Sequence, residues 1–263
     1  MDERLRAIAN AAATLPQTQV VAQSGDGFPK PGEGDVDLFL YADEVPSIEA
    51  RENALRGIPA EKRVIEFFHG PAWGVGDLLV VDGVEVFLMW FTTAQAWDEA
   101  ESILRGERLG KMYDQLYPTG RIASILKLQP LYERGDYLTR LKALARTYPD
   151  ALGRTLVRHN LGSLWDTETF ERALLRKEVL LYHQELEHGL DCFLQALFAL
   201  NRVYFPSRKR TLEYIKDFPK LPVNCGERLL RMVKLGADAE TLAESYAEWQ
   251  ALLAELQELA KDE

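Results

Sequence analysis

Apolar and polar positions along the first half of the chain change period several times, whereas the second half keeps almost one period throughout. A helix over residues 3–15 is followed by the run Thr18-Gln19-Val20-Val21-Ala22, which predicts a strand. A stretch punctuated by Gly25, Gly27, Pro29, Pro31, Gly32 and Gly34 then reads as a loop. In Asp35-Val36-Asp37-Leu38-Phe39-Leu40-Tyr41 the apolar Val36, Leu38 and Leu40 alternate with Asp35, Asp37 and Phe39, which predicts a strand whose two carboxylates face one way. Residues 62–68 form a third strand, and residues 77–81 and 84–91 flank Asp82-Gly83, a strong hairpin signal. Helical period follows over 92–105, where Ala96, Trp97, Ala100, Ile103 and Leu104 are apolar. Residues 124–132 are expected to return as a strand before a helix over 136–148.

From about Pro149 onward the periodicity predicts long amphipathic helices over 151–164, 167–187, 188–204, 209–218 and 239–260, the last capped by Asp238. Leu190, Phe193, Leu194, Leu197 and Phe198 recur at helical spacing among apolar neighbours, which places their helix at the centre of a bundle. The expected fold is α+β: a mixed β-sheet with flanking helices in residues 1–148 and a C-terminal α-helical bundle in 149–263.

At 263 residues, with 47% apolar and 27% charged, the chain can bury a sizeable core, and disordered or collagen-like classes drop out. No apolar window is long enough for a membrane span, and Met1-Asp2-Glu3-Arg4-Leu5-Arg6 lacks the profile of a signal peptide, so a cytoplasmic protein without a membrane partner is expected. Cys192 and Cys225 form no metal or redox motif and read as small buried hydrophobes. With 31 basic against 41 acidic side chains the net charge is −10, so nucleic acid is not the expected partner. A small anion remains compatible where cations cluster locally or a metal ion mediates.

Asp35 and Asp37 carry the most chemistry. Two like charges on one strand face call for a cation, and Mg²⁺ binds through one or two carboxylates plus substrate phosphates. The glycine-rich loop before the strand offers backbone N–H groups to a phosphate. Glu85, bracketed by Val84 and Val86 just after the hairpin turn, is the best-placed third carboxylate for a two-metal site. Each feature alone is compatible with solvated surface decoration; the conjunction of strand, glycine-rich loop, Asp-x-Asp strand and hairpin favours a site.

The segment from Gln23-Ser24-Gly25 to Asp35-Val36-Asp37 resembles the signature of the polymerase-beta-like nucleotidyltransferase superfamily: Gly-Ser, a loop of about ten residues, then Asp-apolar-Asp. Ser24 and Asp35 are eleven positions apart, as that pattern asks. The helical half, notably residues 197–206 followed by Lys209, resembles the bundle of small bacterial aminoglycoside and lincosamide nucleotidyltransferases. The resemblance implies a nucleotidyltransferase-fold sheet in which Ser24, Gly25 and the loop backbone hold the β- and γ-phosphates of a nucleoside triphosphate, with ATP as the favoured nucleotide. Asp35 and Asp37 would bind Mg²⁺, Glu85 would ligate metal or act as base toward the acceptor hydroxyl, and Lys209 would reach the triphosphate. The implied reaction moves a nucleoside monophosphate, AMP foremost, to a hydroxyl of a small-molecule or macromolecular acceptor, a cationic aminoglycoside suiting an acidic enzyme by charge. A homodimer through the bundle is left open. The chain departs from the pattern at Gln23, which stands where the family has glycine; either the loop is shifted by one residue or the triphosphate is held weakly. A non-catalytic nucleotide-binding or antitoxin-like protein of the same fold is the alternative.

Other residues have plainer readings beside the sharper ones. Arg176 and His183 have the spacing of the motif of HEPN ribonucleases, or share a helix by coincidence. His183, Glu187 and His188 suggest a metal cluster or a solvated helix face. Arg202, Arg208, Lys209 and Arg210 form the one dense basic patch, suited to a polyphosphate or to a helix end. Trp73, Trp90, Trp97, Trp165 and Trp249 read mainly as packing. Asn201 and Tyr204 sit where a bundle would present polar groups to a cleft.

Overall fold

Helix α1 (Glu3–Ala13) begins at Asp2, whose carboxylate accepts the Arg4 backbone N–H at 2.9 Å. It buries Leu5, Ile8, Ala9 and Ala12 on one stripe, as its periodicity predicts. In the computed structural model, residues 2–70, 72–110, 117–164 and 168–263 are described. The chain divides into two compact units, Met1–Ile103 with Lys111–Thr147, and Leu104–Gly110 with Tyr148–Glu263.

The first unit continues with β1 (Thr18–Ser24), β2 (Val36–Ala42), α2 (Ile48–Leu55), β3 (Lys62–Gly70), β4 (Gly74–Val81), β5 (Val84–Thr92), α3 (Thr93–Leu104), α4 (Pro118–Lys127), β6 (Gln129–Glu133) and α5 (Tyr137–Arg146). The strands form one mixed sheet in the order β3-β4-β5-β2-β1-β6. Only the central β2–β5 contact is parallel among the described pairings; the others are antiparallel. Asp82 and Gly83, both at positive φ, make the tight turn between β4 and β5, a conformation an Asp-Gly pair adopts readily. The architecture is α+β.

Strand alternation splits the sheet into two faces. One carries Leu38, Leu40, Val86, Leu88 and Trp90 into a core shared with α1 and with Leu55 of α2. The other carries Phe39, Tyr41, Met89 and Phe91. Tyr41 meets Tyr137 of α5 with ring centroids 5.5 Å apart, and the buried Arg121 of α4 lies 5.0 Å over Phe91.

Residues 124–132 do not form a single strand. Pro118 at the first turn starts α4, which buries Ile122 and Ile125 and runs to Lys127; only then does β6 begin. Strand β6 lies at the sheet edge, the position that tolerates Pro130.

Strand β3 is irregular. Val64 pairs with Leu78 and Phe68 with Gly76, so three β3 residues, Ile65 to Phe67, oppose Asp77 alone. Glu66 takes φ +57° at the bulge, and its backbone N–H donates to Asp77 Oδ1 at 2.9 Å. Asp77, 0% exposed, also accepts from Trp90 Nε1 at 2.9 Å and pairs with Arg51 of α2, itself 2% exposed. Arg51 reaches on to Glu66 at 3.1 Å. Burial pushes the Asp77 carboxyl up from its ordinary range, against the opposing pull of the Glu66 N–H, Arg51 and Trp90.

The second unit holds α6 (Asp150–Gly162), α7 (Glu168–Arg176), α8 (Val179–Leu200), α9 (Thr211–Ile215), α10 (Cys225–Leu235) and α11 (Leu242–Leu259). Helix α8 packs against α6, α7 and α11 and is buried almost continuously from Cys192 to Leu200, the central position its composition predicts. Gly189 lets Trp249 of α11 approach, since a Cβ there would lie 2.9 Å from the indole. The helix break falls at Lys177, at φ +54°, and Glu178 rather than at 187–188. The last helix starts at Leu242, with Asp238 instead bonding the Glu240 N–H at 2.9 Å. No helix among the described residues is long and apolar enough to cross a membrane.

Candidate functional site

Ser24 closes β1 rather than opening the loop, and it is the register partner of Asp37 on β2. Asp37 is in turn the partner of Phe87 on β5. Residues directly opposite in neighbouring strands share a face, so Ser24, Asp37 and Phe87 form a row across three strands at one end of the sheet. Asp35 and Glu85 lie one step outside the first parallel pair, Val36 with Val86, and both are exposed. Glu85, within β5, alternates onto the face of Asp37 and Phe87, whereas Asp35 immediately precedes β2, which starts one residue later than the strand expected from the sequence. The fold thus brings Ser24, Asp35, Asp37 and Glu85 to one corner, with Asp37 half-buried.

Gly25 follows at φ +93° and Gly27 at +72°, conformations that favour glycine. The loop is anchored at two points: Phe28 packs on the α1 side beneath the Arg4 guanidinium, 3.8 Å from its ring, and Pro31 lies against Gly83 of the hairpin turn. Gln23 is buried and pairs with Leu38, on the face opposite Ser24. Its amide donates to the Gly27 carbonyl. The side chain where the family pattern has glycine is therefore turned away from the carboxylates and ties the loop to the strand.

All of these carboxylate donors are hard oxygens, the chemistry Mg²⁺ selects. Among the described residues no three histidine, cysteine or acidic side chains stand close enough together to hold a metal ion. The corner supplies ligand types in the right row, with their side chains spread.

Lys209 is an exposed residue of the second unit, on the turn before α9, its backbone N–H donating to Ser207 Oγ at 3.2 Å. Its basic neighbours are engaged: Arg202 pairs with Asp150 at 2.9 Å and Glu263 at 2.8 Å, and Arg208 with Asp191 at 2.7 Å. Asn201 bonds the Leu197 and Lys220 carbonyls and the Lys220 N–H, so its polar atoms fix a turn. Arg176 and His183 fall on different helices, which removes the shared helix that the ribonuclease-like spacing requires. Trp90 and Trp249 are core residues, Trp73 is partly exposed, and Trp165 lies outside the described residues.

A cavity of about 450 Å³ in the first unit lies at the far end of β2, lined by Asp43, Trp97, Arg134 and Arg140 among others. Its charged groups are paired locally, Arg140 with Asp136 at 3.0 Å and Asp43 with Gln19 at 2.7 Å.

Periodicity does not single out Phe67, Phe68 or Gly76. Phe68 lies flat over Gly76, where a Cβ would sit 2.0 Å from its ring, and Phe67 and Phe68 both approach Phe87. The Phe-Phe pair beside a strand of alternating period was the available signal; the bulge that aims it was not visible.

Comparison with known proteins adds three findings. Residues 117–210 match a family described as "Domain of unknown function (DUF4037)". No curated protein matches the chain. Among solved structures, the chain is similar to a nucleotidyltransferase-like protein from Exiguobacterium sibiricum 255-15, at 13% identity and a TM-score of 0.48, over 99% of this chain and 74% of that one.

Proposed function

We propose that the first unit is the catalytic part of a Mg²⁺-dependent nucleotidyltransferase that uses the corner formed by Ser24, Asp35, Asp37 and Glu85. The observation that carries this reading is the register: Ser24 opposite Asp37, with Glu85 of the parallel neighbour reaching the same face and end. Ser24 and the backbone around Gly25 would bind the terminal phosphates of the nucleotide, and Asp35 and Asp37 would hold the cation. Mg²⁺ held there would supply charge neutralisation for the triphosphate and for the departing pyrophosphate.

Glu85 takes the proton of the acceptor hydroxyl as its oxygen bonds to the α-phosphorus and the bond to the β-phosphate bridging oxygen breaks. One proton passes to the carboxylate and pyrophosphate leaves with the electron pair. Most of the acceleration comes from holding these groups in line. The resemblance favours ATP as the nucleotide.

The test is thermal stabilisation by ATP, GTP, CTP and UTP with and without Mg²⁺, in wild type and in a variant carrying Asp35→Asn and Asp37→Asn. A ligand that binds the native state raises its stability. A Mg²⁺-dependent rise lost in the variant supports the site, and pyrophosphate release on adding acceptors then separates an enzyme from a non-catalytic nucleotide binder. No rise with any nucleotide in the folded protein removes the reading.

A further inference from the structure

The bulge in β3 places two phenylalanines where a regular strand would not. Phe67 and Phe68 stand 6.2 Å apart at an interplanar angle of 72°, and each reaches Phe87 of β5, at 6.2 Å and 6.5 Å. Phe67 remains 48% exposed. What sets it apart from a singly exposed side chain is that it belongs to a contiguous cluster of three rings on one sheet face.

Its location gives it a use. Phe87 is the register partner of Asp37, and neighbouring strands are about 5 Å apart. Across the sheet the order is therefore Ser24 on β1, Asp37 on β2, Phe87 on β5, then the Phe67–Phe68 pair reaching over β4. A nucleotide laid along this row, with its terminal phosphates toward Ser24 and its α-phosphate at the carboxylates, carries its one flat apolar part onto the rings.

The rings are held by a device within the fold. The Glu66 N–H is fixed by Asp77, Asp77 by Arg51 and Trp90, and Gly76 leaves room for Phe68 to lie flat. Bulges re-aim side chains in this way beside sites.

We propose that Phe67, Phe68 and Phe87 form a stacking platform for the nucleobase of the nucleotide bound at Asp35 and Asp37, so that base identity is tolerated. The proposal rests on the nucleotidyltransferase reading above. Stacking accepts any base because each has a π-face, and loss of one aromatic partner costs about tenfold or more in affinity.

The test compares ATP with inorganic tripolyphosphate, which has the phosphates and no base. Both are titrated with Mg²⁺ against wild type, Phe67→Ala and the Asp35→Asn, Asp37→Asn double variant. The expected result is that Phe67→Ala weakens ATP about tenfold and leaves tripolyphosphate unchanged, while the double variant loses both. A Phe67→Trp variant, with the indole at an already exposed position, should show fluorescence quenching by ATP, GTP, CTP and UTP and none by tripolyphosphate. Equal ATP affinity in wild type and Phe67→Ala, with no quenching in Phe67→Trp, overturns the platform and leaves the carboxylate site standing. Failure of tripolyphosphate and ATP alike to bind wild type overturns the site and the platform built on it.

Discussion

Two charged regions look alike in the sequence and differ in the folded chain. In the bundle, Arg202 and Arg208 are spent on Asp150, Glu263 and Asp191, and they join segments far apart in sequence. At the sheet corner, Asp35 and Glu85 stand exposed with no ion pair among the described residues. A cluster of charge becomes a structural fastener when opposite charge is within reach, and a candidate site when like charges gather at an exposed sheet corner.

The sharpest way to break this comparison is to neutralise the corner. Asp35→Asn with Asp37→Asn should abolish Mg²⁺-dependent nucleotide stabilisation in a protein that still unfolds cooperatively; calorimetry with and without nucleotide reads both. The reverse pattern is expected where charge is internal. Arg51→Ala leaves Asp77 buried without its cation and should cost about 3–5 kcal/mol in urea unfolding. Arg202→Ala, at the partly exposed bundle pair, should cost about 1 kcal/mol or less and leave the nucleotide response intact.

A milder contrast is set at the first helix. The Arg4 guanidinium holds the Asp2 carboxyl down at about 2. Because the folded value lies below the ordinary 3.8, the stabilisation is complete above that pH and is lost as pH falls toward 2. Asp2→Ala should cost about 1 kcal/mol at pH 6, and the gap to wild type should narrow only below about pH 4 in denaturant titrations. The smallest effect concerns the cysteines. Burial pushes Cys192 up to about 11 and Cys225 up to about 12, so native protein at pH 8 should resist thiol labelling that unfolded protein accepts at both positions.

Much of this organisation was legible in the residues. Alternation in Val36, Leu38 and Leu40 located β2, Asp82-Gly83 located the hairpin, and continuous apolarity marked α8 as central. What escaped depends on single backbone conformations or on distant partners. Lys177 and Glu66 adopt positive φ without being glycine, so neither the α7–α8 break nor the β3 bulge has a compositional mark. Helix α10 has a strong apolar stripe, Leu229 and Met232 among it, in a segment shadowed by the prolines before it. Gln23 departs from the family pattern in the sequence, and register alone decides whether such a side chain points at the carboxylates or behind them.

The parallel pairing of β2 with β5 also bears on how the molecule assembles. Asp37 sits on β2, and Asp35 just before it, beside an antiparallel partner β1 that is close in the chain, whereas Glu85 arrives only after α2, β3 and β4 have been traversed. Such long-range parallel contacts form late, because loop closure must precede any gain from pairing. The β1–β2 and β4–β5 hairpins can each close alone, and neither contains all three carboxylates. The complete acidic corner is therefore a property of the finished sheet, and a partly folded chain during synthesis carries only fragments of it.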